Sequence, residues 1–168
     1  MRLDRTPVLV LFVLAALAAV QFVHYYPRLP ATLAVHFGSG GHPNGWQEKS
    51  LFVLFYGGIE AMFFVLGLLA VTLGHRFPIK YSNVPNKDYW FTGERKPASI
   101  RALTDFILWY DNLTLAFLVA VAEIAIRANL VEGPVILPKV TWAVTLGFTA
   151  AIVFITVRLF QRFSAPHV

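Results

Sequence analysis

Glu60 and Asp111 each interrupt a long apolar run, and a carboxyl placed there must face protein, water or a partner, because lipid solvates it poorly. Glu60 lies nine residues into the run that begins at 51, and Asp111 eight residues into the run that begins at 103. If the two runs are helices of opposite direction in a hydrocarbon core of roughly 30 Å, the carboxyls stand about 14 Å from one face and about 12 Å from the other, within a turn of one depth. Two carboxylates at one depth repel, so the pair is a candidate for sharing a proton, the chemistry that a small proton-coupled transporter or channel needs. Asn112 beside Asp111, with Trp109 and Tyr110 just before it, gives the same stretch a polar middle, and Thr141, Thr145 and Thr149 repeat every four residues. A plainer reading is favoured: these groups hydrogen-bond from helix to helix, with Gly57, Gly58 and Gly67 admitting close approach. Asp105 and Glu123 fall near opposite ends of their run, within reach of water.

His36 and His42 flank a Gly-rich bend and could approach each other, with His24, Glu48 or Glu123 as further ligands for a borderline metal. Two histidines at this spacing match no stringent ligand pattern, and hydrogen bonding to the turn backbone is the favoured reading, so no metal and no cofactor is expected. The chain has no cysteine, which excludes disulfides, thiolate metal sites and thiol nucleophiles. No Ser shares a depth with His and an acid, there is no HExxH, and no Gly-rich loop matches a phosphate-binding fingerprint. An enzyme is not expected.

The elements that must position these residues are set by composition. Of 168 residues, 57% are hydrophobic and 14% charged, against roughly 25% charged in an ordinary soluble domain. Residues 7–26, 51–74, 103–126 and 139–160 are each long enough to cross a hydrocarbon core, and a lipid-embedded chain closes its backbone hydrogen bonds as helix. The fold class expected is an all-α membrane protein, a four-transmembrane-helix bundle forming one integral membrane domain over 1–168. The first run resembles the apolar core of a signal peptide but is expected to be retained as a span. Ten of the 14 Lys and Arg fall at the N-terminus (Arg2, Arg5), in the 75–102 loop (Arg76, Lys80, Lys87, Arg95, Lys96, Arg101) and near the C-terminus (Arg158, Arg162). The positive-inside rule then makes both termini and the 75–102 loop cytoplasmic and puts 27–50 and 127–138 outside. The net charge of +5 is thereby explained by topology and anionic headgroups, and nucleic acid is not expected as a partner. Tyr25, Tyr26, Trp46, Trp90 and Trp142 near the span ends read as interfacial anchors. Ser50 is suited to cap the second span, Gly74 to end it, and Pro97 to the first turn of a third helix that projects into the cytoplasm.

The two longer loops are patterned. In the outer cap, 27–50, Leu33, Val35 and Phe37 alternate with Ala34 and His36 as in a short strand, and Gly38, Gly40, Gly41 and Pro43-Asn44-Gly45 then reverse the chain, which predicts a small ordered cap. In the inner loop, Asn83-Val84-Pro85-Asn86-Lys87-Asp88-Tyr89-Trp90 is a polar turn entering an aromatic, basic surface, suited to anchoring or to docking a cytoplasmic partner.

Leu29-Pro30 through His36-Phe37-Gly38, followed by Gly41-His42-Pro43-Asn44-Gly45-Trp46, resembles the signature of an uncharacterised membrane domain found at the N-terminal side of bacterial SdpI-like immunity and signalling proteins. The Asn83 to Trp90 segment is similar to an element that often follows in that family. The resemblance covers about the first hundred residues, and fuller SdpI-like proteins carry further spans. It implies a multi-pass protein of the bacterial cytoplasmic membrane that recognises or shields something: a sensor, an immunity factor, or an accessory subunit of a larger complex. The residues expected to contact a ligand or partner are His36, Phe37, His42, Asn44 and Trp46 outside and Asn86, Asp88 and Trp90 inside, with the bilayer and either a protein partner or a second copy as surroundings.

Overall fold

The computed structural model of the protein describes residues 4–76 and 79–164; Arg2, counted above for topology, lies outside them. Helices form where the apolar runs are: α1 (Arg5–Tyr25), α2 (Lys49–Leu73), α4 (Lys96–Ala128) and α5 (Pro138–Ser164), with a single-turn helix α3 (Lys87–Trp90) in the long loop. The four long helices are each long and apolar enough to cross a membrane, and with a two-stranded sheet they make an all-α membrane protein of the expected class. Among the described residues the one extended part is an antiparallel hairpin, β1 (Thr32–Phe37) with β2 (Pro43–Glu48), where the alternating pattern of 33–37 predicts a strand.

Local chemistry accounts for the helix ends. Asp4 caps α1, accepting the Thr6 N–H at 3.0 Å and its hydroxyl at 2.9 Å, and these bonds hold its carboxyl below the usual range. Gly74 ends α2 and Pro97 lies in the first turn of α4, as expected. Ser50 does not cap α2: the helix opens one residue earlier, at Lys49, whose N–H donates to the Ala31 carbonyl at 2.9 Å. The strand β2 runs directly into α2, so neighbouring backbone takes over the capping role. At 33 residues α4 is about 50 Å long, some 20 Å more than a hydrocarbon core requires, which is the expected projection.

The bundle is organised around α4, against which α1, α2 and α5 all pack, while α1 and α2 also pack on each other. Small residues set the spacing between α2 and α4. A Cβ added to Gly67 would lie 2.7 Å from Asp111 Oδ2 and 2.7 Å from Leu11 Cδ2, and one added to Gly74 would lie 2.6 Å from Thr104 Oγ1. Gly57 is likewise close to Phe22, but Gly58 faces open space, so only two of the three glycines expected at helix contacts are there. Phe163 is the one buried residue of α5; it enters a cluster with Val84, Phe91 and Leu103.

The hairpin is fastened to the bundle at three places. Leu29 and Leu33 pack with Phe52, Ala125 and Ile126 in a buried cluster. Asn129, just past the end of α4, accepts the Ala34 N–H at 2.7 Å and donates to the Ala34 carbonyl at 2.9 Å and the Ala125 carbonyl at 2.8 Å. Its side-chain amide thereby stands where a third strand would. Finally, Gly41, at φ +82°, donates no side chain and lets the α4–α5 loop approach: a Cβ there would lie 2.2 Å from the Ile136 carbonyl oxygen, and the Ile136 N–H bonds the Gly41 carbonyl at 3.1 Å. The hairpin is thus an ordered lid on the bundle.

Candidate functional site

The antiparallel register of α2 and α4 decides how the two central carboxyls relate. Gly67 faces Asp111 and Gly74 faces Thr104, so seven residues of one helix match seven of the other. Glu60, seven residues before Gly67 on α2, therefore stands level with Leu118, and the two carboxyls are separated by about 10 Å along the bundle. The expected common depth is overturned. The reason is length: α2 has 25 residues, about 37 Å, so depths counted inward from the two faces of a core of roughly 30 Å do not add up to the register of the helices. Side chains also lean toward the N-terminal end of their own helix, which carries Glu60 and Asp111 further apart. At about 10 Å the two carboxyls are too far apart to share a proton directly.

Each carboxyl has its own surroundings. Asp111, 7% exposed, is enclosed by Gly67 and Leu11, and Asn112, 2% exposed, donates to the Pro7 carbonyl at 2.8 Å, tying α4 to the first turn of α1. Asn112 thereby makes the helix-to-helix bond expected of it, while Asp111 Oδ2 is packed at the junction without a hydrogen-bond partner. The threonines do otherwise: Thr149 donates to the Thr145 carbonyl of its own helix, and Thr141 Oγ1 is buried with no hydrogen-bond partner.

Glu60 has no such role. It is 3% exposed and neither of its oxygens has a hydrogen-bond partner. It lines a cleft of about 360 Å³ between α1 and α2 whose walls are Ala15, Ala18, Ala19, Gly57 and Ala61, closed at its ends by Phe22 and Phe64. Ala19 and Ala61 are exposed, so the cleft opens outward from the bundle. Glu123 makes the contrast plain: it accepts from Gln21 at 2.7 Å, from Tyr25 at 3.0 Å and from Arg127, and Gln21 also bonds the Val119 carbonyl. Glu123 is thus fully supplied with donors; Asp105 Oδ1 and Asp111 Oδ2 are each buried without a partner, and among the described residues Glu60 is the acid for which both oxygens are so.

The outer residues are divided between surface and interior. His36 and Asn44 hydrogen-bond each other on the exposed face of the hairpin, with His42 also exposed and Trp46 55% exposed. Phe37 instead turns inward and lines a small cavity with Val35, Tyr56 and Ile136, which removes it from the expected outward contact set. Among the described residues no group of three or more His, Cys, Asp or Glu is placed to share a metal ion. His24 lies against Arg28, and Glu123 is taken up by the network above.

The inner motif has an internal use. Asn86, in the left-handed region at φ 50°, donates to the Phe163 and Ser164 carbonyls, both at 3.0 Å, and Trp90 Nε1 donates to the Phe163 carbonyl at 2.9 Å. Phe91 stacks on Phe163 with centroids 5.6 Å apart. The segment thus clasps the last turn of α5 and satisfies carbonyls that a helix end leaves open. Asp88 remains exposed. Asn86→Ala removes two donors to helix-end carbonyls, so a loss of about 1–2 kcal/mol in stability is expected, read as a lower Tm in detergent, with protease cutting of α5 near its end increased. An unchanged Tm and cutting pattern would show that the clasp does not hold α5.

Two residues central to this arrangement were not singled out from the sequence. Gln21 is a lone amide in the apolar run of α1, a signal that was there to read. Asn129 looks like an ordinary helix stop, and nothing local announces its partner 95 residues away.

Residues 11–59 match the family model of a domain of unknown function (DUF1648). The match runs from α1 through the hairpin into α2 and stops one residue short of Glu60, covering less than half of the chain. No curated protein and no solved structure matches the chain.

Proposed function

We propose that this chain is a non-enzymatic membrane subunit that assembles with a partner membrane protein, receiving one of the partner's transmembrane helices in the α1–α2 cleft. The observation that carries this reading is Glu60: a buried carboxyl with no donor among the described residues, set in a wall of small residues open on the outer side of the bundle. Alanine and glycine walls let a helix backbone come close, and a buried carboxyl then gives a donor-bearing partner helix a hydrogen bond that lipid does not offer. The resemblance of the hairpin and of the Asn83 to Trp90 segment to SdpI-like proteins supports a sensing or immunity setting for such a subunit. In that setting the chain resides in the bacterial cytoplasmic membrane with both termini inside, as the placement of basic residues favours. His36, His42, Asn44 and Trp46 then form the outward face available to an external ligand.

The proton-transport alternative loses its main support with the separation of Glu60 from Asp111. The experiment for the subunit reading is affinity purification of the tagged chain from its native membrane in mild detergent, wild type beside Ala61→Leu, with mass spectrometry of what is retained. A stoichiometric membrane protein held by the wild type and reduced about tenfold or more by the bulky side chain is expected, since a filled cleft excludes the helix. Recovery of the chain alone, together with a proton flux in liposomes that Glu60→Gln abolishes, would replace the subunit reading with transport.

A further inference from the structure

A second feature of the bundle lies at its basic end, away from the Glu60 cleft and independent of the partner reading. There α5 leaves α4 along a groove of about 820 Å³ whose walls include Asp105, Phe106, Trp109, Phe154, Arg158 and Arg162. We propose that this groove binds one anionic phospholipid with a hydroxylated headgroup, of the phosphatidylglycerol class.

The groove is graded in the way such a molecule is. Arg158 and Arg162 are four residues apart, hence on one side of α5, and both are exposed near the end of the helix, where a lipid phosphate sits. Toward the bundle centre the same groove becomes apolar and aromatic, with Phe106 and Trp109 from α4 facing Phe154 from α5, a wall for an acyl chain and not for water. That wall is why the occupant is a lipid and not inorganic phosphate, which would need only the arginines. Asp105 supplies the selectivity. It is the one acid of the groove lining, with the Asp4 carboxylate and backbone and the Arg101 and Arg162 guanidinium groups acting on it, and its Oδ1 is buried with no hydrogen-bond partner. Arg101, Arg158 and Arg162 outnumber Asp105 and the neighbouring Asp4, which leaves this end of the groove net positive and favours a phosphodiester. The unsatisfied carboxylate oxygen favours a headgroup that can donate a hydroxyl to it. Trp90, at the mouth, is already fixed by its bond to Phe163 and gives the site a rigid rim.

The test uses the full chain purified in detergent and supplied with phosphatidylglycerol, with phosphatidylcholine, or with phosphatidylglycerol plus inorganic phosphate, read by native mass spectrometry. One phosphatidylglycerol per chain is expected to survive release from detergent, retained about tenfold over phosphatidylcholine and undisturbed by inorganic phosphate. Arg158→Gln with Arg162→Gln brings retention down to the phosphatidylcholine level, while Arg158→Lys with Arg162→Lys keeps most of it. Both arginines are exposed, so an unchanged Tm in the variants separates lost binding from lost fold. Equal retention of the two lipids, undiminished retention in the double glutamine variant, or displacement by inorganic phosphate would each overturn the proposal.

Discussion

Glu60→Leu is expected to make the isolated chain more stable and at the same time to abolish capture of its partner. A buried polar group without a hydrogen-bond partner costs about 1–3 kcal/mol, and more when charged, so replacing it by an apolar side chain of similar length recovers that amount in the free subunit. Both Glu60 oxygens are in that state. The expected readout is a higher Tm in detergent for Glu60→Leu and no stoichiometric partner in the purification. Glu123→Leu is the reference: it strands the donors of Gln21, Tyr25 and Arg127, so it lowers the Tm. Stability that rises while binding falls is the mark of a group kept for an interaction outside the chain. A lower Tm for Glu60→Leu would falsify this reading, since it would mean that the carboxyl braces the bundle.

Asn129→Ala should loosen the outer cap as a unit. The substitution leaves the N–H and carbonyl of the fully buried Ala34 without partners, at about 1–3 kcal/mol for each group, so a total loss of about 2–5 kcal/mol is expected. The effect is local in its first stage: amide exchange across Thr32–Phe37 and Pro43–Glu48 accelerates, the Tm falls, and the interior of α4 stays protected. Asn129→Asp keeps an acceptor for the Ala34 N–H but gives up both donated bonds, so its Tm stays below that of the wild type. Hairpin exchange unchanged in Asn129→Ala would mean that the apolar contacts of Leu29 and Leu33 hold the cap without the amide.

The helices were legible because the bilayer makes length and apolarity sufficient: a run that must satisfy its backbone without water becomes helix wherever it is long enough. The hairpin was legible for a similar reason, since alternation and a glycine-rich bend are both short-range patterns. Relative depth was not. Counting from the two faces inward gives Glu60 and Asp111 one depth, but a few residues more in each span set them two turns apart. Register between helices is set by contacts such as Gly67 on Asp111 and Gly74 on Thr104, which join residues far apart in the chain and leave no local pattern. The same holds for Asn129 on Ala34. The inner motif shows the reverse case: a segment that looks like an exposed docking surface is spent largely on the chain's own α5, because a helix end needs donors and Asn86 and Trp90 supply them.

The cleft itself can be probed in the native membrane by placing a photo-crosslinking side chain at Ala61, inside it, and at Leu146, on the exposed side of α5. A discrete protein adduct from Ala61, lost when Glu60→Leu is added and not formed from Leu146, is the predicted result. Lipid adducts alone from both positions would contradict the claim that the α1–α2 cleft receives a transmembrane helix.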